Sequence, residues 1–235
     1  PDIELAIKVK NEFEKEQKID LLISIAVPHS IHWGVAWFLK SNKENKINCW
    51  MADCGDPFMG NPLQKTPFYF KYLERLFCTY ASKILVPVEG AKLGYYPKFH
   101  HKINIVPQGF DIKKEKDLVE RLKRKSHMDD SDSKKKIKFL YAGDLYSGKR
   151  DLTLFLSYLS SLESFNFEFL IYTSQQELVT PFLNKLGGKI KLHGRIPRDL
   201  LLEKMCTMDF LINIENPSPI QVPSKLIDFS IVNKP

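Results

Sequence analysis

Cysteine is scarce in this sequence, and what there is shows no pattern. Only four of the 235 residues are cysteines, Cys49, Cys54, Cys78 and Cys206, with no Cys-x-x-Cys pair and no histidines clustered beside them along the chain. A disulfide framework or a zinc module is therefore not expected, and reduced thiols of a cytosolic protein fit better. A clean membrane-spanning run is missing too. The longest apolar stretch, 19–39, is interrupted by Pro28, His29, Ser30 and His32, so it divides into a strand, a loop and a helix. There is no short internal repeat, no long low-complexity tract and no visible signal peptide. The chain begins at Pro1 inside a helix-like run and stops at Lys234-Pro235, which reads as an internal piece of a longer protein.

What is present is globular. A hydrophobic fraction of 43% with 12% aromatic residues is too rich for a disordered chain. The formal net charge of +7 suits anionic partners such as nucleotide diphosphates, nucleic acid or a bilayer surface, and equally suits a lysine-rich soluble surface. The charge is densest at 112–136, a stretch without aromatics. Its interleaved acids argue against a nucleic-acid arm, so no nucleic-acid partner is expected.

That charged stretch also divides the chain. Before it, residues 3–17 have the spacing of an amphipathic helix, and 21–27 are a continuous apolar strand of the kind covered on both faces in a parallel sheet. Helices at 31–40, 68–82 and 90–96 then alternate with strands at 47–52, 83–88 and 103–107. After it the pattern restarts, with strands at 137–142, 167–173, 189–193 and 209–214 and helices at 151–162, 175–186, 198–205 and 224–231. Such alternation predicts an α/β protein of two Rossmann-like domains with parallel, doubly wound sheets, both incomplete. The expected boundaries are 1–111, a charged linker at 112–136, and 137–235.

The last fifteen residues are the most informative. Pro223 and Ser224 open a helix whose free N–H groups favour an anion. Lys225 adds a positive charge for phosphate, and Asp228, one turn on, can accept from sugar hydroxyls. Those residues alone would equally make an ordinary capped helix. Open α/β sheets bind ligands at the carboxyl ends of their strands. The loop from Gly143 to Arg150 and the loop at 215–224 both follow strands and should share one rim. Gly143 allows close backbone approach, while Lys149 and Arg150 can neutralise a diphosphate; a solvated surface turn is the plainer reading. In the first half, His29, His32, Asp53 and Asp56 stand at or beyond strand ends. Each could orient an acceptor or serve as a general base, or be a loop cap. Gln108 and Gly109 sit at the expected domain edge. Lys65, Lys71 and Arg75 flank Phe68, Tyr69, Phe70 and Tyr72, as in a helix resting on anionic lipid, although core packing is the commoner use of such aromatics.

Val222-Pro-Ser-Lys-Leu-Ile-Asp-Phe followed by Asn233-Lys-Pro resembles the donor-site signature of family 4 glycosyltransferases, which have the two-domain fold called GT-B. Asp228, Phe229 and Asn233 replace that family's glutamate, tyrosine and glycine, and Ile220 replaces the first of its two glutamates eight residues apart. Further segments match in order. Lys138-Phe-Leu-Tyr-Ala-Gly-Asp-Leu-Tyr-Ser-Gly-Lys-Arg150 resembles the opening of the donor domain, with Asp144 where an arginine is frequent. His193-Gly-Arg-Ile-Pro197 and Met208-Asp-Phe-Leu-Ile-Asn213 resemble later strand regions. Ile105-Val-Pro-Gln-Gly-Phe-Asp111 resembles the close of the acceptor domain. Asp20-Leu-Leu-Ile-Ser-Ile-Ala and Trp50-Met-Ala-Asp-Cys-Gly-Asp-Pro-Phe58 resemble upstream strands, with Gly55 near a frequent histidine.

The resemblance implies a glycosyltransferase that moves a sugar from a nucleotide-diphosphate donor to a saccharide or lipid-linked acceptor, with retention and without a metal. Asp-x-Asp occurs only within the charged stretch, Asp130-Ser131-Asp132, away from any predicted strand end. No cofactor is expected beyond the nucleotide sugar as co-substrate. The implied catalytic residues are Lys149, Lys225 and Asp228. The implied donor contacts are Gly143, Arg150, Val222, Pro223, Ser224, Gln108 and Gly109, with His29, Asp53 and Asp56 on the acceptor side. A cytoplasmic location with peripheral contact at the inner face of the cell membrane would suit such an enzyme in polysaccharide biosynthesis. Two alternatives stay open: a sugar-nucleotide epimerase of the same fold, and a non-catalytic nucleotide-binding relative, which Ile220 and Gly55 favour.

Overall fold

The computed structural model describes residues 1–235 except 43–45, 63, 64, 108, 110, 112, 114, 121–135, 216–218, 221, 222 and 224. Gln108, Val222, Ser224 and most of the charged linker thus lie outside the described residues. Two compact units are formed, one of Pro1–Gly109 with Ser218–Val222, the other of Phe110–Pro217 with Pro223–Pro235.

In the first unit, α1 (Asp2–Lys15), β1 (Ile19–Ala26), α2 (Ser30–Ser41), β2 (Ile47–Cys54), α3 (Phe70–Tyr80), β3 (Lys83–Val86) and β4 (Ile103–Ile105) follow in chain order. The four strands are parallel and lie in sequence order, with Ile19 opposite Ile47 and Ile84 opposite Ile103. Acids in the first turn of α1, Asp2 and Glu4, and Lys15 in its last complement the helix dipole. α1 lies close on α2 because Gly34 has no side chain; a Cβ there would come within 2.6 Å of Val9. Trp33, Val35, Ala36 and Phe38 of α2 are buried with Trp50, Phe77, Cys78 and Ile84 in one core. α3 has no basic residue in its last turn, and Lys102 serves instead: its Nζ donates to the carbonyls of Cys78, Thr79 and Ala81 at 3.1, 2.7 and 2.9 Å.

One expectation fails on β1. A strand covered on both faces should bury every side chain, yet Leu21, Ile23 and Ile25 are 51%, 52% and 62% exposed. β1 is an edge strand; Ser24 on its other face is buried, and nothing among the described residues covers the first face.

The second unit contains β5 (Ile137–Ala142), α4 (Thr153–Ser161), β6 (Phe167–Tyr172), α5 (Thr180–Leu186), β7 (Ile190–His193), α6 (Arg198–Cys206), β8 (Phe210–Leu211) and α7 (Lys225–Val232). Its parallel sheet has the order β7-β6-β5-β8. Both faces are covered. Leu140, Ala142, Leu170 and Tyr172 pack with Leu202, Met205 and Val232, whereas Tyr141, Phe169 and Ile171 pack with Leu156 and Leu159. The helix expected over 175–186 is broken: a short 3-10 turn, Gln176–Leu178, precedes α5, and Pro181 stands in the first turn of the new helix. α7 closes at Asn233, whose φ of 54° is left-handed and whose N–H bonds to Phe229 O at 2.9 Å.

Candidate functional site

The strand order of the second sheet locates its site. The chain runs outward from β5 through β6 to β7, then returns to place β8 on the other side of β5. The loops leaving β5 and β8 therefore diverge at the carboxyl end of the sheet, the switch point where open α/β sheets receive ligands.

Gly143 leaves β5 with φ of +149°, its N–H bonded to Tyr172 O at 3.0 Å. A Cβ there would lie 3.2 Å from the Lys225 Nζ, so the amine of α7 sits directly against the β5 turn. Lys225 donates to Ala142 O at 3.3 Å and its Nζ is 4.4 Å from the Tyr141 ring centroid. Burial, and secondarily the Arg150 charge, pull the Lys225 pKa from the usual 10.5 to about 8. Burial pushes the Tyr141 hydroxyl up to about 12, and it donates to Asp144 O at 3.1 Å.

The rest of the loop is a tight hairpin. Tyr146 and Arg150 exchange backbone hydrogen bonds at 2.6 and 2.8 Å, with Lys149 exposed in the turn between them. Asp151 locks the far end, accepting from Gly148 N at 2.8 Å and Thr153 N at 3.0 Å. The Gly148 bond is the main reason its carboxyl pKa is lowered. The backbone thus turns the Arg150 charge toward Lys225 and holds Lys149 outward.

Two arginines outside the sequence-derived set join this rim. Arg195, in the loop after β7, donates to both oxygens of Asp144 at 2.6 and 2.5 Å, and that pairing raises its pKa. A basic side chain is thereby restored beside Asp144, the acidic replacement noted in the sequence. Arg198, at the start of α6, donates to Asp228 Oδ1 through Nε at 3.1 Å and Nη2 at 2.6 Å, and to Glu115 at 2.8 Å. Both of its bonds to Asp228 fall on one oxygen. Hydrogen bonds to Asp228 and Glu115 hold the guanidinium firmly protonated, outweighing the opposing effect of burial. Arg195 stood within a quoted segment; Arg198 follows the proline that opens α6, and no spacing rule marked either.

In the first unit His29 and His32 flank the first turn of α2, and Asp53, Gly55 and Asp56 follow or close β2. His29 is 6% exposed and His32 fully buried. Burial pulls their pKa values to about 4 and about 3, the neighbouring His29 adding to the shift of His32. The two aspartates touch these rings through their backbones: the backbone of Asp56 hydrogen-bonds to His29 and that of Asp53 to His32. His32 Nδ1 is 2.8 Å from Ser24 Oγ, which accepts from Trp50 Nε1 at 2.7 Å, and His32 Nε2 is 3.4 Å from Cys54 Sγ. Gly109 is exposed, and a Cβ there would meet nothing within 4 Å.

No family model and no curated protein matches the sequence. Solved structures do match in fold. The first neighbour is Alr3699/HepE of Anabaena in complex with UDP, at TM-score 0.68 and 12% identity over 99% of this chain and 62% of that one. The lipopolysaccharide outer core galactosyltransferase WaaB matches at 0.60 and 15% over 100% of this chain and 60% of that one. TarM matches at 0.61 and 13% over 98% of this chain and 43% of that one. The chain therefore spans less than two thirds of the length of these neighbours. Its two parallel four-stranded sheets are the two Rossmann-like domains of the GT-B architecture.

Proposed function

We propose that this chain is part of a glycosyltransferase that moves a sugar from a nucleotide-diphosphate donor to a saccharide or lipid-linked acceptor. The observation that carries this reading is Lys225 packed against the Gly143 turn, with Arg150 close enough to depress its pKa. Two cations held together beside a helix start form a positive site of the kind that suits a diphosphate. In the reaction, negative charge develops on the leaving β-phosphate. Lys225 and Arg150, helped by Lys149 and the first turn of α7, stabilise it without a metal. Asp228, fixed by Arg198 through Oδ1, offers Oδ2 to a ribose hydroxyl. Pro223 adds to the donor contacts in this reading, and Asp53 and Asp56 are acceptor-side carboxylates of the first unit. The leaving phosphate takes the acceptor proton, and configuration at the transferred carbon is retained.

HepE, seen with UDP, suggests a uridine nucleotide as the first donor to try. The UDP-N-acetylglucosamine 2-epimerase of Rickettsia bellii shares the fold at TM-score 0.50, so a second reading is epimerisation. Product analysis of full-length protein with UDP-sugars separates them: a new glycosidic linkage supports transfer, a C2-inverted nucleotide sugar supports epimerisation, and binding without product leaves a nucleotide-binding relative.

A membrane-linked acceptor fits the surface of the first unit. Phe68, Tyr69 and Tyr72 are exposed at and before the start of α3, with Lys71 Nζ 5.8 and 5.1 Å from the Phe68 and Tyr72 ring centroids. Phe70 instead stacks on Trp33 at 5.1 Å, so core packing accounts for only part of this aromatic run. No helix among the described residues is long and apolar enough to cross a membrane. The exposed aromatic and basic side chains at α3 are what suggest peripheral contact at the cytoplasmic face. The protein should sediment with phosphatidylglycerol vesicles at low salt and much less with phosphatidylcholine, and a Phe68→Ser, Tyr72→Ser variant should stay in the supernatant.

A further inference from the structure

The first unit contains a buried cluster that the sugar-transfer reading does not use. His29 from the entrance of α2, His32 one turn on, and Cys54 from the end of β2 are all buried, and one ligand-type atom from each lies within 4.8 Å of the others. In sequence Cys54 stands 22 residues from His32 and looks isolated. Parallel pairing of β1 with β2 brings them together, with Ala26 opposite Cys54.

The polar inventory of this cluster is incomplete. His32 is satisfied at both nitrogens by Ser24 and Cys54. The Nδ1 of His29 is buried with no hydrogen-bond partner, while its ring already interacts with the backbone of Asp56. An imidazole nitrogen kept from water and unpaired is energetically costly. A ring nitrogen of His29 lies within 4.8 Å of both the Cys54 thiol and a nitrogen of the second neutral imidazole. Neutral nitrogen and sulfur donors of this kind are the ligands of borderline-soft divalent ions.

We propose that His29 Nδ1, His32 Nε2 and Cys54 Sγ form a zinc site within the first unit, stabilising it structurally. Tetrahedral zinc spaces its nitrogen and sulfur ligands about 3.4–3.6 Å apart. The His32–Cys54 separation of 3.4 Å already meets that, and His29 needs only a small inward shift. Coordination replaces the Cys54 thiol hydrogen by the metal and releases that proton to solvent; no electron is transferred. Tyr95, whose hydroxyl is buried beside Cys54, borders the fourth position. The outer shell is present as well. Ser24 sets the orientation of the His32 ring, as the partners of zinc-bound histidines do. Glu74, fully buried, acts electrostatically on Cys54 and keeps one carboxylate oxygen unpartnered, so it can balance the residual charge of a zinc–thiolate–bis-imidazole centre. The site ties the β1–α2 loop to the end of β2.

The experiment is titration of chelator-treated protein with Co2+ and Zn2+. One equivalent of Co2+ should give a thiolate-to-metal charge-transfer band, displaced by Zn2+, and Zn2+ should raise Tm by several degrees. Cys54→Ser should abolish the band, His29→Ala should weaken binding at least a hundredfold, and Cys49→Ser should change neither. His29→Ala also guards against misfolding, because it removes an unpaired polar atom, and far-UV circular dichroism of each variant checks the fold. Absence of the band with unchanged Tm, or a band that survives Cys54→Ser, would overturn the proposal. UDP binding is read separately, so failure here leaves the donor reading intact.

Discussion

At the residue scale the account turns on Lys225. Its amine is half-buried and its pKa, about 8, lies below the usual 10.5. Between those values the unfolded chain holds a proton the folded one has released. Stability of the second unit therefore rises with pH over that interval, and the cost of burying the charge is fully present below about pH 8. Two outcomes follow from one side chain. Lys225→Met should raise the unfolding midpoint measured at pH 7 while lowering UDP affinity by about 1–3 kcal/mol. Nucleotide affinity of the native protein should also fall as pH passes 8, and calorimetry across pH 7–10 should show that fall only while Lys225 is present. Arg150→Ala should cost a similar amount, Lys149→Ala less, because Lys149 is exposed and screened. Gly143, Lys225 and Asp228 were legible in the sequence because each belongs to a local pattern with a mechanism. Arg195 and Arg198 were not, because their partners Asp144, Glu115 and Asp228 are remote in sequence. The His29–His32–Cys54 grouping was hidden for the same reason: strand pairing creates it.

At the element scale most strands and helices followed from periodicity, and the departures have physical causes. Pro181 cannot continue a helix begun at 175, so that segment splits. The face of β1 carrying Leu21, Ile23 and Ile25 reads as core in sequence but is open, since an apolar run cannot reveal which neighbours are present to cover it. Asn233 tolerates the left-handed turn that ends α7, the conformation for which the related signature uses glycine. The closure of α3 by Lys102 was not foreseen, since the lysine is over twenty residues from the carbonyls it caps. Lys102→Ala should destabilise the first unit by about 1–2 kcal/mol in urea unfolding and leave nucleotide binding unchanged.

At the scale of the whole molecule, the two parallel sheets differ in strand order. The first unit keeps sequence order in its sheet and concentrates buried polar groups at the carboxyl end of β1 and β2. The second reverses direction at β5, and that reversal is what gathers Gly143, Arg150 and Lys225. The pattern of alternating strands and helices foretold two such sheets, while strand order, on which the site depends, appeared only in three dimensions. The central claim is that the β5 turn and α7 hold a nucleotide diphosphate. Calorimetric titration of full-length protein and its Lys225→Ala variant with UDP, GDP and ADP, with and without EDTA, tests it most directly. One nucleotide should bind the native protein equally well in EDTA, and the variant should lose roughly tenfold or more in affinity. No binding of any nucleotide, or equal binding by the variant, would contradict it.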